Sequence, residues 1–174
     1  MLKKYFLEYL DQFIYNFLYK NVGIMPIRLC KFIAVYYPDA RIRKLYWERM
    51  GVQFGKNSFA NIGLNIIFNR IENIKVFIGN NVSIARDCTL IVDSGPCNNS
   101  FLLDCEYVKN KLIHDGDAKI IIEDDVWIGA NVTIMPNVKI KKGSIIGACS
   151  LVTKDTEEYT IYAGTPAKKI KKIL

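Results

Sequence analysis

Histidine is almost missing from this chain: among 174 residues only His114 is one. A zinc centre built on three histidines is therefore not expected, and no metal is assigned. The five cysteines, Cys30, Cys88, Cys97, Cys105 and Cys149, are odd in number, and no two stand in C-x-x-C spacing. That pattern argues against a secreted disulfide framework and against a thiolate metal site, so a reducing cytoplasm is the expected setting. No apolar run reaches the roughly 18 residues that a membrane-spanning helix needs. Met1 to Lys20 is basic and then apolar. Glu8 and Asp11 interrupt it and no small-residue cleavage site follows, so no signal peptide is expected.

What is present is ordinary in bulk: 51% hydrophobic and 24% charged residues, enough for one soluble domain with a real core. The formal charge is +7. Lysines and arginines gather at Lys3–Lys4, at Arg41, Arg43 and Lys44, and at Lys168, Lys169, Lys171 and Lys172. Such an excess suits anionic ligands or a membrane surface, or simply a solvated exterior. Nucleic acid is not among the expected partners.

Residues 1–51 are predicted to be helical. Tyr5, Phe6, Tyr9, Leu10, Phe13, Ile14, Phe17 and Leu18 recur every three or four residues, which is one helical stripe. Gly23 and Pro26 end it, and Pro26 opens a second helix to Tyr36. Asp39 is the N-cap and Gly51 the stop of a third. The stripe either caps the open end of the following β-domain, the favoured reading, or lies on a membrane surface.

From Ile122 the pattern changes to six-residue units: IEDDVW, IGANVT, IMPNVK, IKKGSI, IGACSL, VTKDTE. The first slot is always aliphatic and β-branched: Ile122, Ile128, Ile134, Ile140, Ile146, Val152. The fourth holds Asp125, Asn131, Asn137, Gly143, Cys149 and Asp155, mostly residues that tolerate left-handed backbone at a corner. IGNNVS, IARDCT and LIVDSG repeat the frame upstream with Asn81, Asp87 and Asp93 in that slot, and Asn57, Gly63 and Asn69 extend it. Ala60 and Glu72 break the first slot, so the early coils are expected to be degraded or bulged. A short strand, a corner and a repeat make a triangular coil of three units, with first-slot side chains stacked inside. Residues 52–167 are thus predicted to form a parallel β-helix. Residues 96–119 lose the period and are predicted to be one extruded loop, and 168–174 a basic tail.

Val126 to Asp155, VWIGANVTIMPNVKIKKGSIIGACSLVTKD, followed by YAGTPAKKIKKI from Tyr162, resembles the hexapeptide-repeat acyltransferases, in particular their sugar and xenobiotic O-acetyltransferase branch. RIRKLYWERMGVQFG near Arg41 to Gly55 is a weaker echo. The resemblance implies a left-handed β-helix, a homotrimer of parallel prisms, and acetyl-CoA held in the groove between two of them. It implies that the VTKD and GTPAK segments lie near the nucleotide end. It also implies a histidine from the extruded loop as general base on an acceptor hydroxyl.

Chemistry supports such a base, because a sugar hydroxyl must lose its proton during attack and histidine has a suitable pKa. His114 is the one candidate. Relatives carry this histidine nearer the start of the loop, where VDSGPCNNS has none, so His114 is either delivered by loop folding or is a surface residue. Asp93 either orients His114 or is a corner residue, the latter favoured. Ser94, Asn98 and Asn99 are candidate acceptor contacts. Trp127, Gly129, Ala130, Gly147, Ala148, Thr153, Lys154 and Lys168 are candidate acetyl-CoA contacts: an outward tryptophan, small residues that admit close approach, and lysines for phosphates. The expected activity is acetyl transfer to a sugar hydroxyl in surface-polysaccharide or lipopolysaccharide synthesis. Streptogramin-type antibiotic acetylation and a non-catalytic trimeric scaffold are the alternatives.

Overall fold

The computed structural model describes residues 2–71, 74–93, 95–96, 98–111 and 118–174, with backbone only at 2–6 and 111. The chain begins with three helices: α1 (Leu2–Lys20), α2 (Ile27–Tyr36) and α3 (Ala40–Arg49). Pro26 precedes α2 and Asp39 caps α3, its carboxylate accepting from the amides of Arg41 and Ile42. Gly51 ends the helical part at φ 102°, a conformation that costs glycine nothing.

The segment that covers the β-domain is α3, not α1. Helix α3 lies on the first coil and buries Ile42, Tyr46 and Trp47. Arg43 is buried between them, with Nη1 donating to the carbonyls of Tyr37 and Pro38 and Nη2 to that of Ala60. Helix α1 is tied down near its end, where Leu18 is buried and its carbonyl accepts from the Tyr46 hydroxyl. Further along its stripe Tyr9, Leu10, Phe13, Ile14 and Phe17 are exposed. The expected cap is therefore made by other residues than the aromatic stripe.

Four coils follow. The first is β1 (Gln53–Phe54), β2 (Phe59–Ala60) and β3 (Asn65–Ile67); the second is β4 (Val76–Ile78), β5 (Ser83–Ile84) and β6 (Thr89–Ile91). Two short helices, α4 (Ser100–Asp104) and α5 (Glu106–Lys111), then intervene. The third coil is β7 (Ile120–Ile122), β8 (Trp127–Ile128) and β9 (Thr133–Ile134); the fourth is β10 (Lys139–Ile140), β11 (Ile145–Ile146) and β12 (Leu151–Val152). Every third strand pairs in parallel, giving a first face β1-β4-β7-β10, a second face β2-β5-β8-β11 and a third face β3-β6-β9-β12. β13 (Thr160–Ala163) extends the second face, and the basic tail continues it as antiparallel β14 (Lys168–Lys172). The domain is mainly β, built on parallel sheets. Among the described residues no helix is long and apolar enough to cross a membrane.

First-slot side chains stack in columns, such as Ile66, Leu90, Ile134 and Val152 on the third face. Each fully buried side chain of this size contributes about 1.5–3 kcal/mol. The fifth slot also points inward, and where it is serine or threonine it is satisfied: buried Ser144 and Thr156 hydrogen-bond each other at 2.8 Å.

Corner residues behave as their type predicts. Asn57, Gly63, Asn81, Asp87, Asp125, Asn131, Asn137, Gly143 and Cys149 all have positive φ. Asn69, Asp93 and Asp155, expected in the same role, do not, because the regular winding stops at each. Strand pairing between the third and fourth coils is offset by 18 residues, but between the first and second by 24 (Gln53 opposite Phe77). The extra unit follows β3, where Asn69 stands. Asp93 ends the second coil, and Asp155 caps the amide of Lys139 with its carboxylate.

Candidate active site

Parallel strands give each prism edge a fixed composition. At the edge between the second and third faces, backbone rungs stack coil on coil: Asp87 N donates to Ile62 O, Asn131 N to Arg86 O, and Cys149 N to Ala130 O. On the third and fourth coils this edge is lined by Gly129, Ala130, Gly147 and Ala148. A Cβ on Gly129 would sit 2.6 Å from the backbone nitrogen of Ala148, and one on Gly147 2.9 Å from the Ala163 Cβ. Glycine is required there by close approach, and the result is a smooth strip of accessible backbone. Trp127 stands beside it on the second face, 58% exposed. The segment Gly164–Ala167 folds over its far end, with Leu151 N donating to Gly164 O, Ala167 N to Leu151 O, and the Thr165 hydroxyl to Cys149 O. This carries β14 alongside, where Lys168 is registered with Ala163.

The opposite end of the third face holds the other candidates. Asp93 follows β6 there and is buried, while Thr153 and Lys154 follow β12 two coils away and are exposed. Within one chain the structure therefore separates the expected residues into two edges: Trp127, Gly129, Ala130, Gly147, Ala148 and Lys168 on one, Asp93, Thr153 and Lys154 on the other. Asn98 is exposed, and Asn99 caps α4, accepting from Leu102 N at 3.0 Å. His114 and Ser94 lie outside the described residues.

Charge at the fourth coil is positive and partly available. Lys169 is paired with Glu157, whose carboxyl is held below its usual range first by that hydrogen bond. Among the described residues the ammonium groups of Lys154 and Lys168 have no such partner, which leaves them open to an anion.

Residues 119–154 match the family described as bacterial transferase hexapeptide, six repeats. A probable macrolide acetyltransferase of Lysinibacillus sphaericus is 36% identical over 126 residues, 60% of this chain and 67% of that protein. The chain belongs to the hexapeptide-repeat transferases. Galactoside O-acetyltransferase of Escherichia coli (strain K12) is 37% identical over 122 residues, 70% of this chain and 54% of that protein. This hexapeptide-repeat transferase chain spans about half the length of several curated relatives that it matches. A hexapeptide-repeat-containing acetyltransferase of Vibrio cholerae, solved with acetyl coenzyme A, shares its fold at TM-score 0.63 and 22% identity, covering 85% of each chain.

One feature of this hexapeptide-repeat chain was not anticipated from the sequence. A cavity of about 530 Å³ lies between α2 and the first two coils. Helix α2 contributes Arg28, Lys31, Phe32 and Tyr36; the coils contribute Asn65, Asp87 and Thr89. Its signal was present, because positions 28, 31, 32 and 36 recur on one helical face. Residues 26–36 show the second helix in the sequence, but not what it faces.

Proposed function

We propose that the chain is an acetyl-CoA-dependent O-acetyltransferase acting on a sugar hydroxyl, in the synthesis of a surface polysaccharide or lipopolysaccharide. The observation that carries this reading is the small-residue strip with Trp127 beside it and Lys168, without an ion-pair partner among the described residues, at its fourth-coil end; Lys154 would come from the other edge of a neighbouring prism. Lys168 and Lys154 take the phosphates of CoA. The pantetheine arm then runs along the strip towards the earlier coils, its amides meeting exposed backbone that larger side chains would cover. The galactoside relative supports a sugar acceptor, and the Vibrio cholerae neighbour supports acetyl-CoA as donor.

In the reaction, the acceptor hydroxyl oxygen attacks the thioester carbonyl. His114 takes the hydroxyl proton, the new C–O bond forms, the C–S bond breaks, and the thiolate leaving as CoA is protonated. The carbonyl oxygen gains charge in passing and needs donors aimed at it. Asp93 is proposed to orient His114. Ser94, Asn98 and Asn99 are proposed acceptor contacts. We read the prism as left-handed and the assembly as a homotrimer, with the helical segment 1–51, the β-helix 52–167 and the tail 168–174 as its parts and no metal involved. The free thiols Cys30, Cys88, Cys105 and Cys149 support a cytoplasmic setting. The exposed α1 stripe is a peripheral membrane contact, checked by vesicle co-sedimentation that a Phe13→Asp change abolishes.

The test is thiol release from acetyl-CoA in the presence of galactosides. His114→Ala is expected to keep the circular dichroism spectrum and lose at least about a hundredfold in kcat/KM, the usual contribution of a general base. Full activity in that variant removes His114 from the mechanism. No binding of acetyl-CoA or CoA at millimolar concentration by calorimetry overturns the enzyme and leaves the scaffold reading.

A further inference from the structure

The cavity beneath α2 lies on the same prism edge as the small-residue strip. Asp87 and Gly63 are the corner residues of that edge on the second and first coils, as Asn131 and Cys149 are on the third and fourth. Successive coils are about 4.8 Å apart. The cavity is therefore about 5–10 Å from the strip, on the side away from Lys168. In the reading above, this is the end where the thioester arrives.

Its position is fixed by backbone. Gly63 N donates to the carbonyl of Val35 at 2.9 Å, which holds α2 against the corner. Gly63 has φ 84°, and a Cβ there would run into the Asp87 carboxylate, so the corner is open only because it is glycine. At about 530 Å³ the space suits a small ligand.

Its chemistry is mixed in a specific way. Phe32 and Tyr36 are 62% and 59% exposed, with ring centroids 5.4 Å apart, and offer an apolar shelf. A sugar ring has an apolar C–H face that such a shelf covers. Asn65 and Thr89, side by side in register on the third face, offer an amide and a hydroxyl for ring hydroxyls. Two cations flank the shelf. Lys31 Nζ stands 4.7 Å from the Phe68 ring centroid, and Arg28 has no hydrogen-bond or ion-pair partner among the described residues. The one carboxylate in the lining, Asp87, is already held by Arg86 at 3.1 Å. The lining thus has positive charge to spare, and a guanidinium matches a phosphate or carboxylate in two-point geometry.

We propose that this cavity is the acceptor pocket, and that it selects a sugar bearing an anionic group, a phosphate or a carboxylate, bound by Arg28 and Lys31 while the ring lies on Phe32 and Tyr36. This rests on the transferase reading for its meaning, but the binding is measurable without turnover.

Titration calorimetry of the full chain with galactose 6-phosphate, galacturonate and galactose tests it. At least one of the two anionic sugars is expected to bind tenfold or more tighter than galactose, and which does so distinguishes phosphate from carboxylate. An Arg28→Gln, Lys31→Gln double variant is expected to erase the preference and leave acetyl-CoA affinity unchanged; Phe32→Ala is expected to weaken all three sugars. Equal affinity for the three sugars, no sugar binding, or an unchanged preference in the double variant overturns the proposal. Acetylation of neutral and anionic sugars at equal kcat/KM refutes the selectivity and spares the transferase. Binding in the expected pattern with no acetylation of any sugar spares the pocket and refutes the transferase.

Discussion

Cys149 occupies a place in the repeat where every regular neighbour is Asn, Asp or Gly. Its φ is 58°, next to 56° at Asn131 and 62° at Asn137. An ordinary side chain pays for that conformation through contact between its Cβ and the carbonyl, by about 1–2 kcal/mol, whereas asparagine adopts it readily. Cys149 is exposed, and its sulfur makes no hydrogen bond among the described residues. Cys149→Asn is accordingly expected to stabilise the fold by about 0.5–1 kcal/mol, read as a higher urea midpoint at unchanged slope. A lower midpoint would mean that the thiol packs against something in solution. The corner slot shows how much a single position discloses. Asx and Gly named eight corners, since the requirement is local. At Asn69, Asp93 and Asp155 the same residue types do not take that backbone, because what ends the winding there is tertiary and lies outside a six-residue window.

At the scale of an element, α3 depends on Asp39. Its carboxylate accepts from Arg41 N at 2.8 Å and Ile42 N at 3.3 Å, two amides that a helix start leaves unpaired. The Arg41 side-chain hydrogen bond, ahead of these amides, holds the Asp39 carboxyl below its usual range. A carboxyl lowered in the folded state stabilises above its unfolded pKa of about 3.9, and that stability is lost as pH falls through the folded value. Asp39→Ala is expected to cost about 1 kcal/mol at pH 7, and the gap to the unmodified protein should close as pH falls below the unfolded value and through the lowered folded one, followed by thermal unfolding across that range. A gap independent of pH would assign the loss to packing. This helix was legible in the sequence because its cap and its stop are local signals. The fate of the α1 stripe was not. Periodicity marks Phe13 and Phe17 as one face but cannot tell which partner covers it. The two short helices within 96–119 were likewise hidden, since each is little more than a turn or two and no periodic pattern fits so short a span. The cavity beneath α2 was hidden for another reason: it joins residues about 60 positions apart in sequence, Arg28 and Thr89, through the docking of α2 on stacked coils.

For the whole molecule, the decisive geometry is that one chain does not bring its described candidates together. The strip with Trp127 and Lys168 is at the N-terminal end of the third-face strands, and Asp93, Thr153 and Lys154 are at the C-terminal end. A prism is rigid across that face, because each strand is bonded to the next coil, so no loop adjustment within a coil closes the gap. A site that uses both edges must take one from each of two neighbouring prisms. This predicts complementation. Ala148→Glu places a bulky anion on the strip at an exposed position, where it blocks the donor without disturbing the core. His114→Ala removes the proposed base, which Asp93 on the other edge is proposed to orient. Each variant alone is expected to be inactive. In the proposed homotrimer, co-expression is expected to give mixed oligomers in which some grooves combine an intact strip from one chain with an intact His114 from another. Activity should return to a fraction of the unmodified level, set by how often such pairs form and never reaching it in full. Two inactive preparations mixed after folding should stay inactive until they are unfolded and refolded together. If co-expression restores nothing while both variants assemble normally by light scattering, the site lies within a single chain and the division of labour between edges is wrong.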